Sequence, residues 1–294
     1  MSHAPLATER RVGLIAGWGR YPLVLSQALR AAGYRVYCLG VKDHADQTIR
    51  DLVDDFQWIG LAKLGQAVRY FRRHGVTQAT MAGKIHKVRL FQPRMWIKHL
   101  PDWTGLKTFY PHFVLSRKDR RDDTLLGAIA DTFRAGGVML GPATDYAPDL
   151  LVGEGCLTRQ APTAKQRKDI AFGWTIAKEM GRLDVGQSVI VKDRAVLAIE
   201  AIEGTDACIR RAGELCTIGG FTVVKVAKPR QDMRFDVPTI GLGTLESMVA
   251  AGGKVLAVEA GKTILVERKA VVEFADRHSL AIVALEAEAA LTAA

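Results

Sequence analysis

The stretch that most constrains the fold is the first forty residues. Val12 to Ala16 is a short apolar run, followed by Gly17-Trp18-Gly19. Helical spacing then runs from Leu23 to Ala32, Gly33 stops it, and Tyr34 to Leu39 is apolar again. Strand, glycine turn, helix, strand is the opening of a Rossmann-like unit, whose strands pair in parallel and are buried on both faces. The turn offers backbone amides at a helix N-terminus, where a phosphate can be held. Gly17, Trp18 and Gly19 are therefore candidate ligand contacts. The dinucleotide fingerprint is incomplete: Pro22 stands where a third glycine belongs, and no acidic residue clearly ends the second strand. A nucleotide-binding oxidoreductase of Rossmann type stays open as an alternative.

The alternation continues. Strands are expected at Phe56–Ile59, Gln78–Ala82 and Val138–Leu140, with helices at Lys63–Arg73 and Thr124–Arg134. Gly83 and Lys84 follow a strand's carboxyl end, the edge where open α/β sheets bind ligands. Phe91 to Tyr110 is aromatic-rich, with Trp96, Trp103 and Phe109, and reads as core or as an apolar surface. Pro142 to Pro162 mixes Pro, Gly, Asp and Thr without a period, the composition of an inter-domain connection. Beyond it the pattern predicts a helix at Lys165–Met180 and a hairpin from Gln187 to Ile202 turning at Lys192-Asp193-Arg194. Further strands are expected at Phe221–Ala227, Thr239–Leu242, Val255–Val258, Thr263–Val266 and Leu280–Leu285, with helices at Leu245–Ala251 and Lys269–Arg277. The expected class is α/β: a Rossmann-like N-terminal domain (1–146), a linker (147–163) and a C-terminal α/β domain (164–294).

Charge narrows the partners. The 294 residues carry a formal charge of +10, which favours anionic ligands or an anionic membrane face. Its clusters, such as Arg69-Arg72-Arg73 and Arg117-Lys118-Arg120-Arg121, lack any nucleic-acid module motif, so nucleic acid is the lesser alternative. No apolar run approaches the roughly 20 residues that span a bilayer. The first eleven residues lack a signal-peptide core, which leads to an expected cytoplasmic location. Cys38, Cys156, Cys208 and Cys216 form no C-x-x-C pair and fit reduced, mostly packed thiols.

Chemistry concentrates between Lys225 and Gly241. Two apolar runs flank Lys228, Arg230, Asp232, Arg234 and Asp236, with Pro229 and Pro238 stiffening the connection. Such a loop suits a phosphate and a metal ion, or is simply solvated. By alternation Val196, Ala198, Glu200 and Ile202 share a face, and a glutamate there asks for a partner. Glu203-Gly204-Thr205-Asp206 follows; Thr205 or Asp206 either caps a helix or joins a site with Asp232 and Asp236. Histidine spacing offers no zinc site, and no G-x-S-x-G elbow is present.

These segments resemble the metal-dependent UDP-2,3-diacylglucosamine pyrophosphatases of lipid A biosynthesis, the type unrelated to calcineurin-like phosphoesterases. The resemblance is carried by Gly13 to Gly17 with Pro22, Ala82-Gly83-Lys84, Asp122-Asp123 with Leu125-Leu126, and Gly181 to Gln187. It continues through Glu200 with Glu203 to Asp206, and through Ala227-Lys228-Pro229, Gln231, Arg234, Asp236 and Pro238 to Gly241. Trp18 departs from it, standing where a glycine is common. The resemblance implies substrate held between the two domains, and hydrolysis to UMP and 2,3-diacylglucosamine 1-phosphate with Mg²⁺ or another divalent cation such as Mn²⁺. It implies Asp236 as the residue needed for activity. Substrate contacts are expected at Gly17, Trp18, Gly19, Gly83, Lys84, Asp122, Gln187, Thr205, Lys228, Gln231, Arg234 and Thr239. Metal ligands are expected at Glu203, Asp206 and Asp232. Trp96, Trp103 and Phe109 are candidates for the acyl chains, the cytosolic face of the inner membrane for docking, and a homodimer for the assembly.

Overall fold

A computed structural model describes residues 9–85, 99–113, 122–229 and 231–292, without the side chains of 110–113, 122–124 and 292. The expectations on Trp96, Arg117, Lys118, Arg120, Arg121 and Arg230, and on the side chain of Asp122, lie outside these. The chain divides into two compact units: residues 1–148 with 232–235, and residues 149–231 with 236–294.

The first unit holds β1 (Arg11–Ala16), α1 (Tyr21–Ala31), β2 (Arg35–Val41), β3 (Asp55–Ile59), α2 (Leu64–Arg73) and β4 (Gln78–Ala82). It continues with α3 (Trp103–Phe113), α4 (Asp122–Ala135), β5 (Met139–Leu140) and the single turn α5 (Ala143–Tyr146). Its sheet runs β3-β2-β1-β4-β5 with all four neighbouring pairs parallel, the strand order of dinucleotide-binding sheets. Pro22 sits in the first turn of α1, where a missing N–H costs nothing. Phe71, Phe133, Leu39, Ala79 and Val138 make its centre, and Phe109 and Phe235 pack on it half-buried. Phe109 is thus core, whereas Trp103 is 70% exposed.

The second unit holds β6 (Gly155–Cys156), α6 (Ala164–Arg182), β7 (Ser188–Lys192), β8 (Ala195–Ile199), α7 (Thr205–Leu215), β9 (Thr222–Lys225) and β10 (Thr239–Ile240). Then come α8 (Leu242–Ala251), β11 (Val255–Glu259), β12 (Ile264–Leu265), α9 (Arg268–Arg277), β13 (Ala281–Leu285) and α10 (Ala287–Thr292). Six strands run β6-β13-β11-β9-β7-β8, and β10 pairs with β12. The middle three are parallel; β6, β7 and β8 join antiparallel.

Alternation sorts the strands onto two buried faces. Ile190, Val223, Leu256, Val258 and Ile282 meet Ile209, Leu245, Met248 and Val271 of α7, α8 and α9. Val189, Val191, Val224, Val255, Ala257 and Val283 meet Ile170, Trp174 and Ala177 of α6 and Ala290 of α10. Each fully buried aliphatic side chain contributes about 1.5–3 kcal/mol, so both faces are strongly held.

Two sequence expectations change here. The segment after Pro148 is part of the second unit, with β6 paired to β13 and Leu151 bridged to Ile264. The expected shared face of Val196, Ala198, Glu200 and Ile202 holds only for Ala198 and Glu200, which are buried, while Val196 and Ile202 are exposed. The β7–β8 register shifts at Ile190/Val191 and the strand ends at Ile199, leaving Ile202 fully exposed while Glu200 is buried. Cys156 is an exposed thiol; Cys38, Cys208 and Cys216 are buried. The expected hairpin turn forms with Asp193 and Arg194 both left-handed, and buried Asp169 accepts both their amides.

Candidate functional site

In the first unit two amides of the glycine turn are bonded to the neighbouring turn and not presented to a ligand. Gly17 N–H donates to the Ala82 carbonyl (2.7 Å), and Trp18 N–H to the Lys84 carbonyl (2.8 Å). Lys84 N–H returns a bond to the Trp18 carbonyl, so residues 18 and 84 form a bridge beyond β1 and β4. The glycines serve this approach. A Cβ on Gly17 would lie 2.9 Å from the Lys84 carbonyl oxygen. One on Gly83, whose φ is +92°, would lie 2.8 Å from both the Gly17 carbonyl carbon and the Trp18 carbonyl oxygen. Phosphate contact through the Gly17 and Trp18 amides is thereby corrected: adjacent parallel strands let the two turns bond each other. Gly19, with φ +106°, and the exposed Lys84 side chain lie outside those bonds.

In the second unit polar side chains collect past the carboxyl end of β9. Lys225, its last residue, is buried, and its ammonium donates to Thr205 Oγ1 (3.0 Å) and the Thr239 carbonyl (3.4 Å). Thr205 Oγ1 donates to Glu200 Oε1 (2.9 Å) and lies 3.5 Å from Ser188 Oγ. A buried ammonium is tolerated only with such partners, and Glu200 supplies the balancing carboxylate through the threonine. Two buried acceptors are left over: among the described residues Glu200 Oε2 and Gln187 Oε1 have no hydrogen-bond partner.

Thr205 is the first residue of α7, and no side chain caps that helix; Gly204, at φ +82°, turns the chain into it. The capping role considered for Thr205 and Asp206 is therefore not what they do. Asp206 Oδ1 instead accepts from Thr244 Oγ1 of α8 (3.1 Å). The structure thus joins Thr205 and Thr239 through Lys225, and places Gln187 next to Ser188 on the adjoining strand. Sequence reasoning passed over Lys225, Ser188 and Thr244. Lys225 had a legible signal: a cation ending a β-branched run that alternation buries.

The Asp236 loop is internally bonded. Lys228 N–H donates to Gln231 Oε1 (2.8 Å), and the Gln231 amide nitrogen donates to the Asp236 carbonyl. The Lys228 ammonium pairs with Asp184 at 2.6 Å. Thr239 Oγ1 turns back to the Val237 carbonyl (2.8 Å). The Asp236 carboxylate is exposed, and no ion pair engages it among the described residues.

Two of the three expected metal ligands, Asp232 and Glu203, are each held by an arginine. Asp232, grouped with the first unit, is gripped by the Arg234 guanidinium through both oxygens, with contacts of 2.6–3.1 Å. That hydrogen bonding holds its carboxyl below the usual range. Glu203 is bonded by its own backbone amide and by Arg211 (2.6 Å), which lower its pKa in the same way. A carboxylate already neutralised by a guanidinium is a poor cation ligand. Among the described residues no three or more His, Cys, Asp or Glu side chains cluster to hold a metal. Of Glu203, Asp206, Asp232 and Asp236, the ion pairs among the described residues engage Glu203 and Asp232 but not Asp206 or Asp236.

Comparison with known proteins matches both units. The LpxI N-terminal domain profile covers residues 11–150 and the LpxI C-terminal domain profile residues 153–283. A relative from Caulobacter vibrioides, the UDP-2,3-diacylglucosamine pyrophosphatase LpxI, is 32% identical over 286 residues, which are 94% of this chain and 98% of that protein. With both halves matched and a relative aligned over nearly its whole length, the chain belongs to the LpxI family.

Proposed function

We propose that this protein hydrolyses the pyrophosphate bond of UDP-2,3-diacylglucosamine, giving UMP and 2,3-diacylglucosamine 1-phosphate. The relative's activity supports the reaction, and the buried Lys225–Thr205–Glu200 cluster at the uncapped start of α7 is the observation that carries it. A diphosphate needs its oxygens neutralised and a water held in line. Lys225, the Thr205 hydroxyl and the α7 N-terminus supply positive potential on one side. Asp236, exposed on its bonded loop, orients the water and takes its proton. The water oxygen bonds one phosphorus as the bridging oxygen leaves on the other phosphate. Asp206 would be the residue to hold a divalent cation such as Mg²⁺ or Mn²⁺, which would supply further neutralisation of phosphate charge. Glu200 Oε2 and Gln187 Oε1 are acceptors suited to substrate N–H or O–H groups.

The same reading extends to location. The net charge of +10, and exposed Trp103, Leu100 and Leu106 with Lys107 over the Trp103 ring, support contact with the anionic cytosolic face of the inner membrane. Among the described residues no helix is long and apolar enough to cross it. A homodimer stands as a proposal that sedimentation tests.

The test is direct. Purified protein is given UDP-2,3-diacylglucosamine in mixed micelles, and products are identified by mass spectrometry. UMP with the 1-phosphate is expected, lost in EDTA and restored by Mg²⁺. An intact substrate with Mg²⁺ present overturns the reaction; an undiminished rate in EDTA removes the cation from it.

A further inference from the structure

A second buried charge cluster lies behind the Asp236 loop. Glu259, the last residue of β11, is 3% exposed. Its Oε2 accepts from Lys178 Nζ of α6 (2.6 Å) and from the Ala227 N–H (2.9 Å), and its Oε1 from Lys262 Nζ (2.8 Å). Lys178 Nζ also donates to the Ala227 carbonyl (3.0 Å). Both backbone polar groups of Ala227, just past the end of β9, are therefore held by one ion pair. Burial raises the Glu259 pKa, but the two ammoniums and the amide outweigh it and keep the carboxyl below its usual range.

We propose that Lys178 and Glu259 are positioning residues that set the course of the loop bearing Asp236. One turn along α6, Gly181 lets the chain pass close: a Cβ there would lie 3.2 Å from Lys228 Cα and 3.3 Å from Pro229 Cδ. From Ala227 the bonded path runs through Lys228 N–H to Gln231, and from Gln231 to the Asp236 carbonyl. The clamp is thus the fixed end of a chain of hydrogen bonds whose other end is the residue carrying the reactive carboxylate. A buried ion pair is weak evidence of stability but a good device for registry, because each partner is costly to leave alone. The reach to Asp236 as the reacting group rests on the function proposed above; the clamp on the loop does not.

The experiment compares Lys178→Met, Lys178→Arg and Glu259→Gln with the parent protein, using steady-state kinetics, thermal melts and hydrogen exchange of the amides of residues 227–237. Expected for Lys178→Met and Glu259→Gln is faster exchange confined to that loop, with kcat down about 30-fold and KM within about threefold, the signature of lost alignment and not of lost binding. Lys178→Arg, which keeps the charge and a donor, recovers most of kcat. Unchanged loop exchange in folded variants overturns the clamp. Activity that falls only with the folded fraction, or that arginine does not recover, overturns its role in positioning. If the parent releases no UMP, the proposed reaction fails while the exchange result still decides whether the clamp holds the loop.

Discussion

The two units end their parallel strands at carboxyl edges of opposite character. Beyond β1 and β4 the edge is closed by backbone: the Gly17, Trp18 and Lys84 amides bond carbonyls of the neighbouring turn. Beyond β9 the edge is built of side chains: a buried ammonium, a hydroxyl and a carboxylate, with Glu200 Oε2 and Gln187 Oε1 unmatched among the described residues. Backbone bonds between turns satisfy every group that makes them and leave little for a ligand. A buried side-chain network with leftover acceptors carries a standing desolvation cost that a ligand relieves. A glycine turn that looks like a phosphate cradle is therefore the weaker pointer to chemistry here, and a lysine ending an apolar strand the stronger.

The largest test of this contrast is Asp236→Asn. The carboxylate is exposed, so the fold and melting temperature should stay as they are. Loss of a proton acceptor at the reacting water should cut kcat by about 10³-fold, within the usual span for general acid–base groups. Full turnover in this variant would take Asp236 out of the mechanism and with it the active character of the second edge.

Next is Lys225→Met, which keeps the length of the side chain and removes its charge. We expect kcat/KM to fall about 100-fold, close to 2.7 kcal/mol of lost transition-state stabilisation. The melting temperature should also drop, because Glu200 and Thr205 lose their ammonium. Lys225→Arg separates the two effects, restoring charge with altered shape. A variant that melts early yet turns over normally would make the cluster purely structural.

Gly83→Ala probes the closed edge. A Cβ at φ +92° and 2.8 Å from two backbone atoms forces the turns apart. The cost should be about 1–3 kcal/mol, read as a fall of several degrees in melting temperature. Below that melt, kcat should be within about twofold of the parent, since the Gly17, Trp18 and Lys84 amides donate to carbonyls across the two turns. A selective loss of kcat in well-folded protein would reopen the first edge as a ligand site.

What the sequence made legible follows from the same contrast. Periodicity and glycine stops marked β1, α1, β2 and β4 within a residue or two, because their apolar faces pack in one direction and nothing local competes. The antiparallel hairpin was legible too, but its register was not: the shift at Ile190/Val191 moves Val196 off the buried face that Ala198 and Glu200 keep. No local pattern encodes a bulge whose cause is the opposing strand. The pairing of Trp18 with Lys84 was hidden because it joins turns distant in sequence. Lys225 was readable as an ending cation but not as a partner of Thr205, since that bond depends on how β9 lies beside α7. The arginine partners of the carboxylates were not legible either: Asp232 pairs with Arg234 two residues on, and Glu203 with Arg211 a helix turn or two along α7.

Glu203→Gln should do least, and for that reason it sharpens the comparison. Glu203 and Arg211 form an ion pair whose side chains are 29% and 46% exposed, so solvent screens it and its net worth is about 0.2–1 kcal/mol. Removing the charge should leave kcat, KM and the Mg²⁺ concentration for half-maximal rate unchanged within error. A true cation ligand behaves otherwise: its amide substitute weakens metal binding, and the Mg²⁺ requirement climbs about tenfold or more. A climb of that size would return Glu203 to the ligand set and show that Arg211 yields it when substrate arrives. A flat Mg²⁺ profile leaves the cation to the diphosphate and Asp206, consistent with an edge whose positive side is built from Lys225 and a helix terminus.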